Sequence, residues 1–201
     1  MGEQSSRFYT RRSIRLSGYD YAQAGYYFVT VVAHQRAHLF GEILTGEMRV
    51  NVAGRMVQNW YEKINEKFPC VKTDMMVIMP NHMHFIIQIV GADPRVCPQP
   101  PNTGARDFSS GVFSERVTKG AHTGAPLRGV TVGDVVQWFK TMTTNQYITH
   151  VKSGTLPPFD KRIWQRNYYE HVIRDDADYD QLTFYIVNNP AKWDDDMFAK
   201  S

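Results

Sequence analysis

Two apolar runs, Met75-Met76-Val77-Ile78-Met79 and His82-Met83-His84-Phe85-Ile86-Ile87-Gln88-Ile89-Val90, stand on either side of the dipeptide Pro80-Asn81. Runs this short, rich in strand formers and split by a turn pair, predict a β-hairpin. A third run of β-branched and aromatic residues, 26–33, predicts another strand. Over 51–68 the period changes: Val52, Met56, Val57, Trp60, Tyr61 and Ile64 recur at spacings of three and four, the stripe of a helix with one buried face. Thr131 with Asp134 reads as a capping box opening a second helix from about 132 to 150. Residues 163–173 read as a strand, and Asp175 or Asp176 as the cap of a last helix that Pro190 ends. This order predicts an α+β sandwich of ferredoxin-like type, a central antiparallel sheet of four to five strands with helices packed on one face.

A chain of 201 residues is one generous domain, or a compact one carrying an insertion. Residues 91–130 hold six of the 14 glycines and five of the ten prolines, which predicts a long loop between regular elements. The expected organisation is a basic arm over 1–16 and a single domain over 17–200, interrupted at 91–130. With 42% hydrophobic and 21% charged residues the composition excludes a fully disordered chain. No apolar run approaches the roughly 20 residues of a membrane span, and the polar, arginine-bearing N-terminus has no signal-peptide core. Only Cys70 and Cys97 are present, too few for a disulfide scaffold. Together these features predict a soluble cytoplasmic protein with no membrane partner.

Net charge is +3, but residues 175–201 alone carry −5, so the rest of the chain is basic. A basic surface suits a polyanion, because each Lys or Arg near a phosphate releases counterions. On charge alone, a solvated surface with an acidic tail is the plainer reading.

His82 and His84 lie two apart on the expected strand, so their side chains leave one face. Neutral imidazole is a ready ligand for a divalent metal. Taken alone, such a pair is more often structural than metal-binding. Tyr185 and Asn189 are four apart on the last helix and share one of its faces. If that helix packs on the histidine strand, Asn189 can supply a third, oxygen ligand beside a phenol. Such a set suits phosphoryl transfer to tyrosine, since a free phenol with pKa about 10 needs a neighbouring charge or base to act as nucleophile at neutral pH. Individually, a half-buried aromatic and a helix-end amide describe the two residues as well.

Four motifs occur in one order: Met79-Pro80-Asn81-His82-Met83-His84-Phe85-Ile86, Phe139-Lys140-Thr141, Trp164-Gln165-Arg166-Asn167-Tyr168-Tyr169-Glu170-His171-Val172-Ile173-Arg174 and Tyr185-Ile186-Val187-Asn188-Asn189-Pro190. In them the chain resembles the HUH single-tyrosine transposases, most closely the REP-associated tyrosine transposases, over roughly 11–193 apart from the insertion. The resemblance implies that His82, His84 and Asn189 bind Mg²⁺ or Mn²⁺ and that Tyr185 is the nucleophile. It further implies a nuclease and strand transferase that cleaves single-stranded DNA beside a hairpin through a 5′-phosphotyrosine. No nucleotide cofactor is expected, as one phosphodiester-type bond is exchanged for another. Arg11, Arg12 and Arg15, with Lys161, Arg162 and Arg166, are candidate phosphate contacts. Other tyrosines and His171 are left out of the catalytic set. Two rival readings are a hairpin DNA-binding regulator whose cleavage is lost or incidental, and a metal-dependent hydrolase using water. Monomer and homodimer both stay open.

Overall fold

The structure, a computed structural model, describes residues 21–91 and 129–199. The expected basic arm, with Arg11, Arg12 and Arg15, lies outside the described residues, as does 92–128 of the insertion. The regular elements are β1 (Gly25–Val32), β2 (Gly41–Leu44), β3 (Glu47–Val50), α1 (Val52–Glu62), α2 (Ile64–Lys67), β4 (Val71–Ile78), β5 (His82–Ile89), α3 (Val132–Lys152), β6 (Tyr169–Ile173) and α4 (Asp176–Asn188). The expected hairpin is β4–β5, and its turn residue Asn81 is buried. Four strands form one antiparallel sheet in the order β4-β5-β1-β6. The α+β class therefore holds.

Strand alternation gives the sheet two unlike faces. Val29, Val31, Met83, Phe85 and Ile87 point to one face and join α1 and α3 in a single apolar core. Phe85 packs on Tyr61 of α1 and Phe139 of α3, with ring centroids 5.3 and 6.0 Å away. Each such buried side chain contributes about 1.5–3 kcal/mol. Phe28, Thr30, His82 and His84 point the other way, where α4 lies across them. Helices thus cover both faces, whereas the sequence pattern placed them on one; apolar periodicity shows that a helix buries a stripe but not which side of the sheet receives it.

Local features explain how α4 is seated. Between Thr73 and Met76 the β4–β5 register slips by one residue, a bulge that increases local twist. Tyr61 fills it, its hydroxyl accepting from the Asp74 N–H at 3.1 Å and donating to the Ile86 carbonyl at 2.9 Å. From the same bulge Asp74 accepts the Tyr179 hydroxyl at 2.6 Å, which ties α4 to β4. Asp175 caps α4 through the Asp178 N–H, and Thr131 and Asp134 form the expected capping box of α3.

Two parts of the pattern read differently in three dimensions. The β2–β3 hairpin, turning on Thr45 and Gly46 at positive φ, has no counterpart in the sequence reading because its strands are only four residues long. The strand expected at 163–173 is β6 alone, with Trp164 bridging Ala33 in isolation. Between those contacts β1 advances three residues and the partner segment five. The excess loops out because the Gln165 and Asn167 carbonyls accept from Lys140 Nζ, both at 2.9 Å, instead of from a strand. Cys70 is buried just before β4. No helix among the described residues is long and apolar enough to cross a membrane.

Candidate metal centre and tyrosine site

The face of the sheet beneath α4 brings both histidines together. Their Nε2 atoms are 3.0 Å apart, and both residues are buried. Asn81 sets the protonation of the first. Its Nδ2 donates to the Arg36 and Phe198 carbonyls at 3.1 and 2.8 Å, so its Oδ1, 2.8 Å from His82 Nδ1, can only accept. His82 therefore carries its proton on Nδ1 and turns a bare Nε2 into the site. His84 Nδ1 lies 2.7 Å from the Thr30 hydroxyl, which can donate or accept. When Thr30 donates, His84 has a proton on Nε2 to share with His82. When Thr30 accepts, two lone pairs face each other across the gap, an arrangement that calls for a cation.

Both rings are neutral near pH 7. Burial pushes the His82 pKa down to about 4, opposed by the nearby Asp196 carboxylate. Burial lowers His84 well below the ordinary value too, and the neighbouring His82 adds to the effect.

After Pro190 the chain makes a 3₁₀ turn and folds back over the imidazoles. Phe198 packs its ring 4.9 Å from that of His82. Asp196 is drawn into the site: its Oδ2 accepts from the Tyr185 hydroxyl and from Asn189 Nδ2, each at 3.2 Å, and lies 3.9 Å from His82 Nε2. Ligand atoms of His82, His84 and Asp196 fall within 4.8 Å of one another, so this buried group could hold a metal ion. Asn189 Oδ1 is buried with no hydrogen-bond partner. Two imidazole nitrogens, a carboxylate and an orphaned amide oxygen make a donor set that fits a divalent cation.

Tyr185 completes the group. Its hydroxyl is 3.2 Å from His84 Nε2, and its ring packs edge-on against His84 and Phe28. Burial, with Asp196 beside it, raises the phenol pKa to about 12.

The structure thus brings four of the expected residues, His82, His84, Tyr185 and Asn189, into one site. It adds Asp196, which the sequence reading counted among the charges of an acidic tail. Lys161, Arg162 and Arg166 are not part of it: Arg162 and Arg166 line a cleft beside α3, on the core-packed side of the sheet. Tyr179 is engaged with Asp74, and His171 is held by Asp178 at 2.7 Å.

Comparison with known proteins fixes the chain's relations. A Haemophilus influenzae protein described only as uncharacterized is 38% identical over 189 residues, 93% of this chain and 92% of that one. The two belong to one family. A second protein of that organism, provisionally named a REP-associated tyrosine transposase, is 24% identical and covers 86% of this chain and 74% of its own length. The family is therefore distantly similar to the REP-associated tyrosine transposases, as the four motifs imply. Among solved structures, a REP-associated tyrosine transposase bound to a REP hairpin is 23% identical, covers 88% of this chain and 74% of that one, and superposes with a TM-score of 0.47. The crystal structure of a provisionally named transposase from Deinococcus radiodurans is 13% identical, with 87% and 95% covered and a TM-score of 0.44. No protein-family model matches the chain.

Proposed function

We propose that this protein is a metal-dependent single-stranded DNA endonuclease and strand transferase that acts beside DNA hairpins, with Tyr185 as its nucleophile. One observation carries the reading: a phenol hydroxyl lies 3.2 Å from both a neutral imidazole and a carboxylate in a buried group able to bind a cation. The motif order and the distant relation to a protein named a REP-associated tyrosine transposase support it.

In this reading the Tyr185 oxygen attacks a backbone phosphorus. The bond from phosphorus to the 3′ oxygen breaks, the DNA 5′ phosphate becomes ester-linked to Tyr185, and the leaving strand takes a proton to end in a 3′ hydroxyl. Strand transfer is the reverse with a new 3′ hydroxyl, so no nucleotide cofactor is consumed. His82, His84 and Asp196, with Asn189 Oδ1, would hold Mg²⁺ or Mn²⁺, whose positive charge would offset that developing on the phosphate oxygens. Asp196 holds the phenol hydrogen and aims the oxygen at the imidazole side. Asn81 keeps the lone pair of His82 turned inward, and Thr30 does the same for His84 when it accepts.

The test is incubation with labelled hairpin oligonucleotides and Mn²⁺, read as a protein–DNA adduct that survives denaturing electrophoresis. The adduct should need the metal and vanish in Tyr185→Phe. An equal yield from that variant would remove Tyr185 from the role. Cleaved product without a protein linkage would point to a water-using hydrolase, and tight hairpin binding with no cleavage to a DNA-binding regulator.

A further inference from the structure

A second polar concavity lies on the other side of the edge strand β6. It is a cleft of about 510 Å³ between α3 and residues 162–168, within the range of small-ligand pockets, about 300–1,000 Å³. One wall is a stripe of α3: Gln137, Thr141 and Asn145 follow at intervals of four and so share a face. The opposite wall holds Arg162, Arg166 and Tyr168. Among the described residues no carboxylate lines the cleft, and neither guanidinium is paired with one. The cleft therefore offers two guanidinium cations, an aromatic ring and amide groups that can donate or accept.

Lys140, which also lines the cleft, braces its wall. Lys140 Nζ donates to the Gln165 and Asn167 carbonyls, both at 2.9 Å, and sits 5.6 Å from the centre of the Tyr168 ring. Burial pulls its pKa down to about 8. Lys140 is a structural clamp, which leaves the arginines to meet a ligand's charge.

Position links this cleft to the tyrosine site. Tyr168 faces the cleft, whereas the next residue, Tyr169, packs its ring 5.6 Å from Phe198, which covers His82 and His84. Tyr169 is 44% exposed on β6, the edge strand of the sheet among the described residues. A single strand leaving the imidazole site can cross β6 at Tyr169 and meet Tyr168 and Arg166 directly.

We propose that the cleft between α3 and residues 162–168 is a subsite for one unpaired nucleotide of the DNA strand, flanking the cleavage point. Arg162 and Arg166 receive its phosphate, Tyr168 stacks on its base, and Gln137 and Asn145 address the base edge. This assignment rests on the proposed DNA-cleaving function.

The experiment uses the full chain in EDTA with a fluorescein-labelled dT₁₀ single strand carrying one 5-iododeoxyuridine. Arg166→Ala and Asn145→Ala, both at exposed positions, should each weaken binding up to about tenfold, the order of one lost charged contact or one lost hydrogen bond to a base. Lys72→Ala, on the far edge of the sheet, should not. Arg166→Ala should also reduce the slope of log affinity against log salt by about 0.7, as one lost phosphate contact requires for a single strand. Photocrosslinking should place the oligonucleotide on Tyr168. Wild-type affinity and salt slope in both variants, or crosslinks confined to α4, would overturn the subsite while a Mn²⁺-dependent hairpin adduct left the DNA-cleaving function standing. Failure of the wild-type protein to bind either dT₁₀ or hairpins would overturn both.

Discussion

Tyr185 donates its hydroxyl hydrogen to Asp196 at 3.2 Å, which joins α4 to the segment that folds back after it. The same carboxylate lies 3.9 Å from His82 Nε2, so a cation held by both histidines would meet it. Asp196→Ala should weaken Mn²⁺ binding at least tenfold, about 1.4 kcal/mol, in isothermal titration. Wild-type protein at a hundredfold excess of Mn²⁺ over Kd should gain about 2.7 kcal/mol of stability. The variant should lose half or more of that gain. An unchanged Mn²⁺ affinity would exclude Asp196 from the ligand set.

Asn81 touches no candidate substrate position, yet it fixes the tautomer of His82 and holds the Phe198 carbonyl. Replacing a group that orients a metal ligand typically costs about 10–100-fold in affinity. Asn81→Ala is expected to fall in that range, with His82 free to turn its protonated nitrogen inward. Equal Mn²⁺ dissociation constants for Asn81→Ala and wild type would show that the tautomer does not depend on Asn81.

The buried imidazoles make the metal-free protein acid-sensitive. The folded-state pKa of His82, about 4, lies below its ordinary value of 6.5. Between those pH values the unfolded chain holds a proton that the folded chain does not, so stability is highest above pH 6.5 and declines as pH falls toward 4. At roughly 1.4 kcal/mol per pKa unit, His82 alone accounts for about 3 kcal/mol, and His84 acts in the same direction. Urea midpoints in EDTA should drop between pH 7.5 and 4.5, and drop less in His82→Gln. A flat profile would mean that the rings are not desolvated as described.

The contrast between His82 and Asp196 shows what the chain's pattern could and could not reveal. His82, His84, Tyr185 and Asn189 were legible because each pair lies within one regular element or on its cap, as Asn189 does with helical φ and ψ, and strand and helix periods fix which side chains share a face. Asp196 follows a 3₁₀ turn, and its position depends on a reversal after Pro190 that has no period. The same holds for the cleft wall at 162–168: its aromatic and polar run reads as a strand, but the Lys140 ammonium captures the carbonyls that a strand would pair. Short β2 and β3 escaped notice because four residues per strand give too few alternations to stand out.

Thr143 tests how the segment leading to the cleft is anchored. Its buried hydroxyl donates to the Phe139 carbonyl and accepts the Trp164 indole N–H, both at 2.8 Å. Thr143→Val keeps the volume but leaves the indole donor unsatisfied beneath the core, at a cost of about 1–3 kcal/mol. Thr143→Ser keeps the acceptor and gives up one methyl, about 1 kcal/mol. Gln165 follows Trp164 and donates its N–H to the Val32 carbonyl at 2.8 Å, so a loosened indole should also speed hydrogen exchange at that amide. The expected pattern is a larger loss of stability in urea and faster Gln165 exchange for Val than for Ser. Matching values for the two variants would show that the ring is held by packing alone.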